Sequence, residues 1–294
     1  MTYEVCDIAD WVVVSQEARG LDPKDWVAEQ KNTHLESQSE WWVFKPIKNA
    51  SYRRCDDWSE KVASELATLI GLPAARVELA ERHSEIGIIS KNVTPDGFSL
   101  ESGDTLLSEF DGYVTCAGDH RPKNRVGHNL DNIQSLLAGI DHPESDIGGL
   151  NGFDLFTGYL IFDAWIANTD RHAINWGVLI SNDDGLRRVA PSFDHGSALA
   201  SGAQDAHLAT VDVAAYAARG YAHRFEGGET LSLCDLAHQA LTRSSEHTRV
   251  WIDRICAVET VDLEAIVRAI PGMSDVRRRF LLNLLTINQR RLAV

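Results

Sequence analysis

The stretch from Ile166 to Leu199, IANTDRHAINWGVLISNDDGLRRVAPSFDHGSAL, constrains this chain more than any other. Asp170 and Asn175 fall in a polar run directly after an apolar helical segment. Residues 176–181 and 186–192 then read as two short strands, and Asn182-Asp183-Asp184-Gly185 between them is a turn signal of the kind that closes a hairpin. The second strand delivers Phe193-Asp194-His195-Gly196, so folding the hairpin back brings Asp194 towards Asn175 and Asp170. Three oxygen-bearing side chains gathered in this way have the layout of a phosphotransfer site.

The chemistry explains why such a trio is wanted. In phosphoryl transfer, charge spreads over the phosphate oxygens, and the protein's work is positioning together with neutralisation by Mg2+. Mg2+ takes one or two oxygen ligands from the protein while phosphates and waters fill the shell. Asn175 and Asp194 suit that role as metal ligands. Asp170, earlier in the loop, sits where a carboxylate can orient an attacking hydroxyl or take its proton.

At these residues the sequence resembles a known family. Thr169-Asp170-Arg171-His172-Ala173-Ile174-Asn175 followed by Phe193-Asp194 is similar to the catalytic and metal-binding motifs of the HipA-like serine/threonine kinases. The form DRHxxN and then DHG is also similar to the phosphatidylinositol 3/4-kinases, which draws His172 and His195 into the site. Each histidine either orients the loop or a phosphate, or serves as a structural hydrogen-bonder between loop and core. The resemblance implies a two-lobed α+β protein-kinase-like fold, with a strand-rich N-lobe over residues 1–94 and a mainly helical C-lobe over 95–294. It also implies ATP and Mg2+ as cofactors and transfer to a protein serine or threonine.

The same resemblance assigns roles upstream. Lys45, in the aromatic and β-branched run Trp41-Trp42-Val43-Phe44-Lys45, becomes the lysine on the ATP phosphates, although from its residue type alone it reads as a strand-end lysine with its head in water. Pro46 is expected to end pairing. The helix that follows is marked by Asp57 as cap, Glu60 at the capping-box position and Gly71 with Pro73 as terminator; Trp58, Val62, Leu66 and Leu69 form its apolar stripe. The family pattern favours Glu60 as the acidic partner of Lys45, whereas periodicity puts Glu65 near the apolar face, and both stand. Ser90-Lys91-Asn92-Val93 resembles the hinge that binds adenine, which makes Ser90 and Asn92 nucleotide-binding candidates; the alternative is an edge strand entering the Pro95-Asp96-Gly97 turn. The loop from Thr33 to Glu40 is expected over the phosphates and carries no glycine. Its Ser37 and Ser39 resemble the autophosphorylated loop of short HipA-like kinases and offer hydroxyl contacts to the nucleotide.

Elsewhere, Glu4 to Ser15 reads as a first strand, and Arg76 to Ala80 and Glu85 to Ser90 as two more. Helical periodicity marks residues 106–110, 130–137, 154–167, 231–243, 248–257, 263–270 and 275–292, the last capped by Ser274. Ala200 to His207 occupies the place of a kinase activation segment. His120, His128 and His142 lack metal-ligand spacing and read as surface residues.

Composition narrows the partners. With 43 acidic and 28 basic side chains and a formal charge of −15, long-range attraction to nucleic acid or an anionic membrane is not expected. Arg277-Arg278-Arg279 and Arg290-Arg291 read as the solvated face of the last helix. Five cysteines, Cys6, Cys55, Cys116, Cys234 and Cys256, are scattered without a C-x-x-C pair, and the start of the chain lacks a basic region before its apolar run. A reduced cytoplasmic protein is expected. Longer relatives carry a further N-terminal subdomain, and only 34 residues precede Leu35, so that unit is expected to be missing or supplied by another chain. Such kinases are often toxins, which implies an antitoxin partner. A small-molecule or lipid kinase, a nucleotide-binding pseudokinase acting as an interaction module, and an ATP-using nucleotidyl transferase remain open beside this reading.

Overall fold

The computed structural model describes residues 2–17, 24–30, 36–47, 55–116, 123–141 and 148–294. The amino-terminal part is a six-stranded sheet built from β1 (Val5–Asp7), β2 (Val12–Glu17), β3 (Lys24–Ala28), β4 (Trp42–Pro46), β5 (Val77–Arg82) and β6 (Glu85–Lys91), in the order β1-β5-β6-β4-β3-β2. Helix α1 (Asp56–Leu69) lies between β4 and β5 in sequence and packs on β5 and β6. β-Branched and aromatic side chains fit this half-buried pleated surface: Ile8, Val27, Phe44, Ala80 and Ile89 form one buried cluster, and Val77, Leu79 and Ile88 another.

Several local expectations change here. The single strand over Glu4 to Ser15 is two strands, because the Asp7 side chain accepts from Ala9 N and turns the chain before it pairs again. Strand β3 was not expected at all, and Pro46 stays in register opposite Gly87. Helix α1 begins at Asp56 with Cys55, not Asp57, at the cap position and no side-chain cap bond, so Glu60 falls outside the capping-box position and pairs with Lys45 instead. Its stripe is buried at Val62 and Leu66, while Leu69 is exposed.

After β6 the chain enters a second, three-stranded sheet and a helical body. The elements are β7 (Phe98–Ser102), α2 (Gly103–Leu107), α3 (Leu130–Leu137), α4 (Gly152–Ile166), β8 (Gly177–Ser181), β9 (Arg187–Val189), α5 (Asp205–Leu208), α6 (Val213–Ala218), α7 (Leu233–Leu241), α8 (Val250–Ala257), α9 (Thr260–Arg268) and α10 (Asp275–Leu292). β8 is central, paired with the unexpected β7 on one side and with β9 across the Asn182–Gly185 turn on the other.

Helix α4 is the axis of this lobe. Every residue from Gly152 to Ile166 is buried, which fits a helix apolar all round. Asn151 and Asp154 form a reciprocal capping box at its start, and Ala167, in the left-handed region at φ 54°, ends it and releases the polar loop. Ser274 caps α10 by accepting from Arg277 N.

Two polar residues expected at the surface are interior. Arg277 is buried and donates to Asp205 Oδ1 and to the carbonyls of Ala200 and Ala203, so it holds the segment after the FDHG motif. His128 is fully buried against Phe225. His120 and His142 lie outside the described residues. Among the described residues no helix is long and apolar enough to cross a membrane, and the five cysteines are unbridged.

Candidate active site

The residues after β9 meet the end of β4 and the start of α1, and the short loop between α4 and β8 is tied to those residues. Lys45, at the end of β4, places Nζ 2.7 Å from Glu60 Oε1 and 3.0 Å from Asp194 Oδ1. Glu60 Oε2 also accepts from the backbone N of His195 at 3.2 Å, and Ser59 Oγ donates to the carbonyls of His195 and Ala198. One turn of α1 is thus fastened to the Asp194 segment through both side chain and backbone. Glu65, the rival partner, bonds Lys61 Nζ at 2.6 Å instead.

Two carboxylates on one ammonium decide the charge states. Burial favours a neutral Lys45, but the Asp194 and Glu60 carboxylates outweigh it and hold its pKa well above the ordinary lysine value. The Lys45 charge holds Asp194 far below the usual carboxylate range against burial, with Lys24 adding to the effect. Burial pushes Glu60 upward, and Lys45 opposes it. Asp194 is therefore a committed anion, and it sits in the left-handed region at φ 62°, a conformation aspartate tolerates better than most residues.

The Asp170 loop is built by hydrogen bonds from its own neighbours. Asn168 Oδ1 accepts from Asp170 N while Asn168 Nδ2 donates to Asp163 Oδ1. Asn175 Nδ2 donates to Asp170 O at 3.1 Å, which leaves the amide oxygen as the atom Asn175 offers to a cation. The Asp170 carboxylate meets Arg224 Nε at 2.6 Å through Oδ1 and Ser197 Oγ at 3.2 Å through Oδ2. Beneath the loop, Arg171 is clamped by both Asp163 oxygens at 2.7 and 2.8 Å, and donates to Asn175 O and Ser192 Oγ. His195 Nε2 meets Ser192 Oγ at 2.8 Å, and burial holds the ring neutral by pushing its pKa well below 6.5. His172 is buried, and its charge state is felt at both Asp194 and His128.

The fold separates other candidates from this cluster. Ser37 and Ser39 hydrogen-bond to each other and to Asp96 Oδ2, and Gln38 Nε2 donates to the carbonyls of Pro95 and Phe98. That loop enters β4 at the end remote from Lys45, and the rise from Trp42 to Lys45 alone is about 10 Å. Its expected position over the phosphates is therefore corrected: it is tied to the turn after β6, and Thr33 to Leu35 lie outside the described residues. The neighbour of Lys45 is instead the β2–β3 end of the sheet. Asp25 pairs with Phe44, so Lys24 is the next residue in register towards Lys45, and its charge reaches Asp194. Ser90 is paired with both Val43 and Val77, and Asn92 donates its backbone N–H to Trp41 O and its amide to Gln38 O while accepting from Thr94 N. These two residues are tied into the sheet and to the loop before β4.

Some residues of the site were not singled out beforehand. Asp163 interrupted an apolar helix, and a charge there needs a buried partner, which Arg171 supplies. Lys24 follows Gly20 and Pro23 in a turn-like run before Trp26 and Val27, a hairpin signal hidden by the missing strand. Arg224 and Ser197 carried no local signal.

A strand-borne lysine paired to a helix glutamate, a base loop and a following aspartate, set between a sheet lobe and a helical lobe, define a two-lobed α+β kinase fold. Residues 17–261 match the model of the HipA-like C-terminal domain, and the chain belongs to that kinase family. Among solved structures it is similar to the Helicobacter pylori proinflammatory kinase CtkA, at 18% identity and a TM-score of 0.68, over 98% of this chain and 95% of that one. It is also similar to HipA of Shewanella oneidensis MR-1, solved in a toxin–antitoxin complex with HipB and operator DNA, at 12% identity and a TM-score of 0.45, over 86% of this chain and 57% of that one. No curated protein matches it.

Proposed function

We propose that the chain is an ATP- and Mg2+-dependent kinase that phosphorylates a protein serine or threonine. The observation that carries this reading is Lys45 Nζ held between Glu60 Oε1 and Asp194 Oδ1, with the Asp194 segment tied to the loop of Asp170 and Asn175 through Ser197 and Ser192. An ammonium fixed by a glutamate is a ready contact for phosphate oxygens, and Lys24 adds a second positive charge on the same side. The donor set fits Mg2+: the Asp194 carboxylate and the Asn175 amide oxygen are two hard oxygens, and phosphates and water complete such a shell. Mg2+ bound there would neutralise charge on the transferring phosphoryl group. Asp170 orients the acceptor hydroxyl and receives its proton.

Autophosphorylation and a neutralising partner protein belong to the same reading. Co-purification of a co-expressed candidate partner tests the second. The activity itself is tested by incubating the purified protein with Mg2+ and γ-labelled ATP in the presence of a lysate, followed by mass spectrometry. Label on protein serine or threonine supports the proposal. Label only on small molecules or lipids, label retained from the α-phosphate, or no transfer at all overturns it.

A further inference from the structure

Asp170 and Arg224 are 54 residues apart in sequence, yet Arg224 Nε donates to Asp170 Oδ1 at 2.6 Å with both side chains largely out of water. Arg224 lies in the loop between α6 and α7, and a buried histidine holds its backbone. Trp176 Nε1, which can only donate, bonds His128 Nε2 at 3.2 Å, so Nε2 is the acceptor and the proton lies on Nδ1. His128 Nδ1 then donates to Arg224 O at 3.0 Å. The ring is fully buried and stacked on Phe225 at 4.3 Å between centroids, and Glu226 Oε2 ties the two loops by accepting from Gly127 N and Asn129 Nδ2. Trp176 directly follows Asn175, whose amide donates to Asp170 O. The contacts close a circuit through Asp170, Arg224, His128, Trp176 and Asn175.

The two oxygens of Asp170 are held unequally. Arg224 makes a short, charge-assisted bond to Oδ1, whereas Ser197 Oγ makes a longer neutral one to Oδ2. Charge-assisted bonds are roughly twice as strong as neutral ones, so of these two bonds the one from Arg224 is the firmer hold on the carboxylate. From this geometry we infer that Arg224 is a positioning residue for phosphoryl transfer: it fixes the rotation of the Asp170 carboxylate that meets the acceptor hydroxyl. His128 and Trp176 act through it. The inference rests on the kinase reading given above. Orientation of a reacting group is worth large factors in rate and little in ground-state binding, so the effect belongs in kcat.

The test is a double-mutant cycle of Arg224→Gln and Trp176→Phe, with Arg224→Lys as the conservative variant, reading kcat, KM for MgATP and thermal midpoint on the same samples. Arg224→Gln is expected to lower kcat by about 10- to 100-fold with KM for MgATP nearly unchanged, and to lower the midpoint because the Asp170 charge loses its buried Arg224 partner; Arg224→Lys should recover part of both losses. Trp176→Phe lets the His128 proton move to Nε2 and turns a lone pair towards Arg224 O. It should lower kcat by itself but add nothing in the Arg224→Gln background, because residues acting through one another are not additive. If Arg224→Gln does not fold, the cycle is run on Arg224→Lys. Wild-type kcat in the Arg224 variants, a loss confined to KM, or multiplying effects in the cycle overturn the inference while leaving the kinase reading intact. Absence of transfer by the wild-type protein removes both.

Discussion

At Lys45 the ordinary chemistry of a surface lysine is replaced by a fixed charge between two carboxylates. Each member of this cluster has a separable effect. Asp194→Ala is expected to lower kcat by at least about 100-fold and to weaken Mg2+-dependent nucleotide binding, while Asp170→Ala loses comparable rate but binds nucleotide almost normally. Steady-state kinetics alongside calorimetric titration of MgATP separates the two, and near wild-type turnover of Asp194→Ala would sink its assignment. Lys45→Ala should raise the ATP requirement sharply and Glu60→Ala more mildly, by freeing the lysine. Glu65→Ala should leave KM for ATP unchanged, because its carboxylate serves Lys61.

Among the elements, the loop carrying His128 gives the site a pH signature. Burial, chiefly, lowers the His128 pKa from 6.5 to about 4; the charges of His172 and Arg125 push the same way, while the Arg224 carbonyl and Asp104 oppose it. The unfolded chain takes up this proton below pH 6.5 and the folded one only near pH 4. The stability His128 provides is therefore complete above about 6.5 and is lost as pH falls towards 4, by about 3 kcal/mol if the ring titrates alone. Chemical denaturation at a series of pH values should show a shallower slope in this window for His128→Phe than for the wild type; equal slopes would refute the assignment. Gly103, at the start of α2, is a second sensitive point, because an added Cβ would clash with the Trp176 ring. Gly103→Ala should lower the thermal midpoint and kcat together, measured on one sample.

Across the whole molecule the two lobes share backbone as well as side-chain contacts. Ala75 N donates to Ser192 O, Ser192 N to Pro73 O, Tyr3 N to Ala269 O and Arg254 to Ile70 O, in addition to the Glu60 and Ser59 bonds to the Asp194 segment. The placement of the Ser37–Ser39 loop also bears on self-modification. With its hydroxyls on Asp96 and Lys45 at the other end of β4, a phosphate reaching Ser37 or Ser39 is expected to come from another copy of the chain. Phosphopeptide mapping over a dilution series should then show the specific rate of labelling falling with protein concentration. A concentration-independent rate would indicate transfer within one molecule.

Much of the site was legible because its chemistry is local. Asp170 and Asn175 lie on one loop and Asp194 just beyond the following hairpin, and the two segments are tied by Ser197 on Asp170 and Arg171 on Ser192. The strictly periodic segments were equally readable: residues 130–137 and 275–292 are helical over those bounds, and α4 is buried as its apolar run requires. The family pattern at Glu60 identified the partner that Lys45 has in the fold, which periodicity alone did not. What failed was what depends on pairing. A strand as short and polar as Lys24–Ala28 is stabilised only by β2 and β4 on either side, and without it the glycine-free loop before Trp41 stood in the wrong place. Groups far apart along the chain, Arg224 on Asp170 and His128 under Trp176, have no sequence signal. Their partners exist only once packing has excluded water and made an unpaired buried charge too costly to keep. The residue types and spacing of the loop and hairpin pointed to the chemistry proposed for this chain; tertiary structure alone brought Lys45, Glu60 and Asp194 into contact and set Arg224 on Asp170, because those groups meet only when distant segments pack.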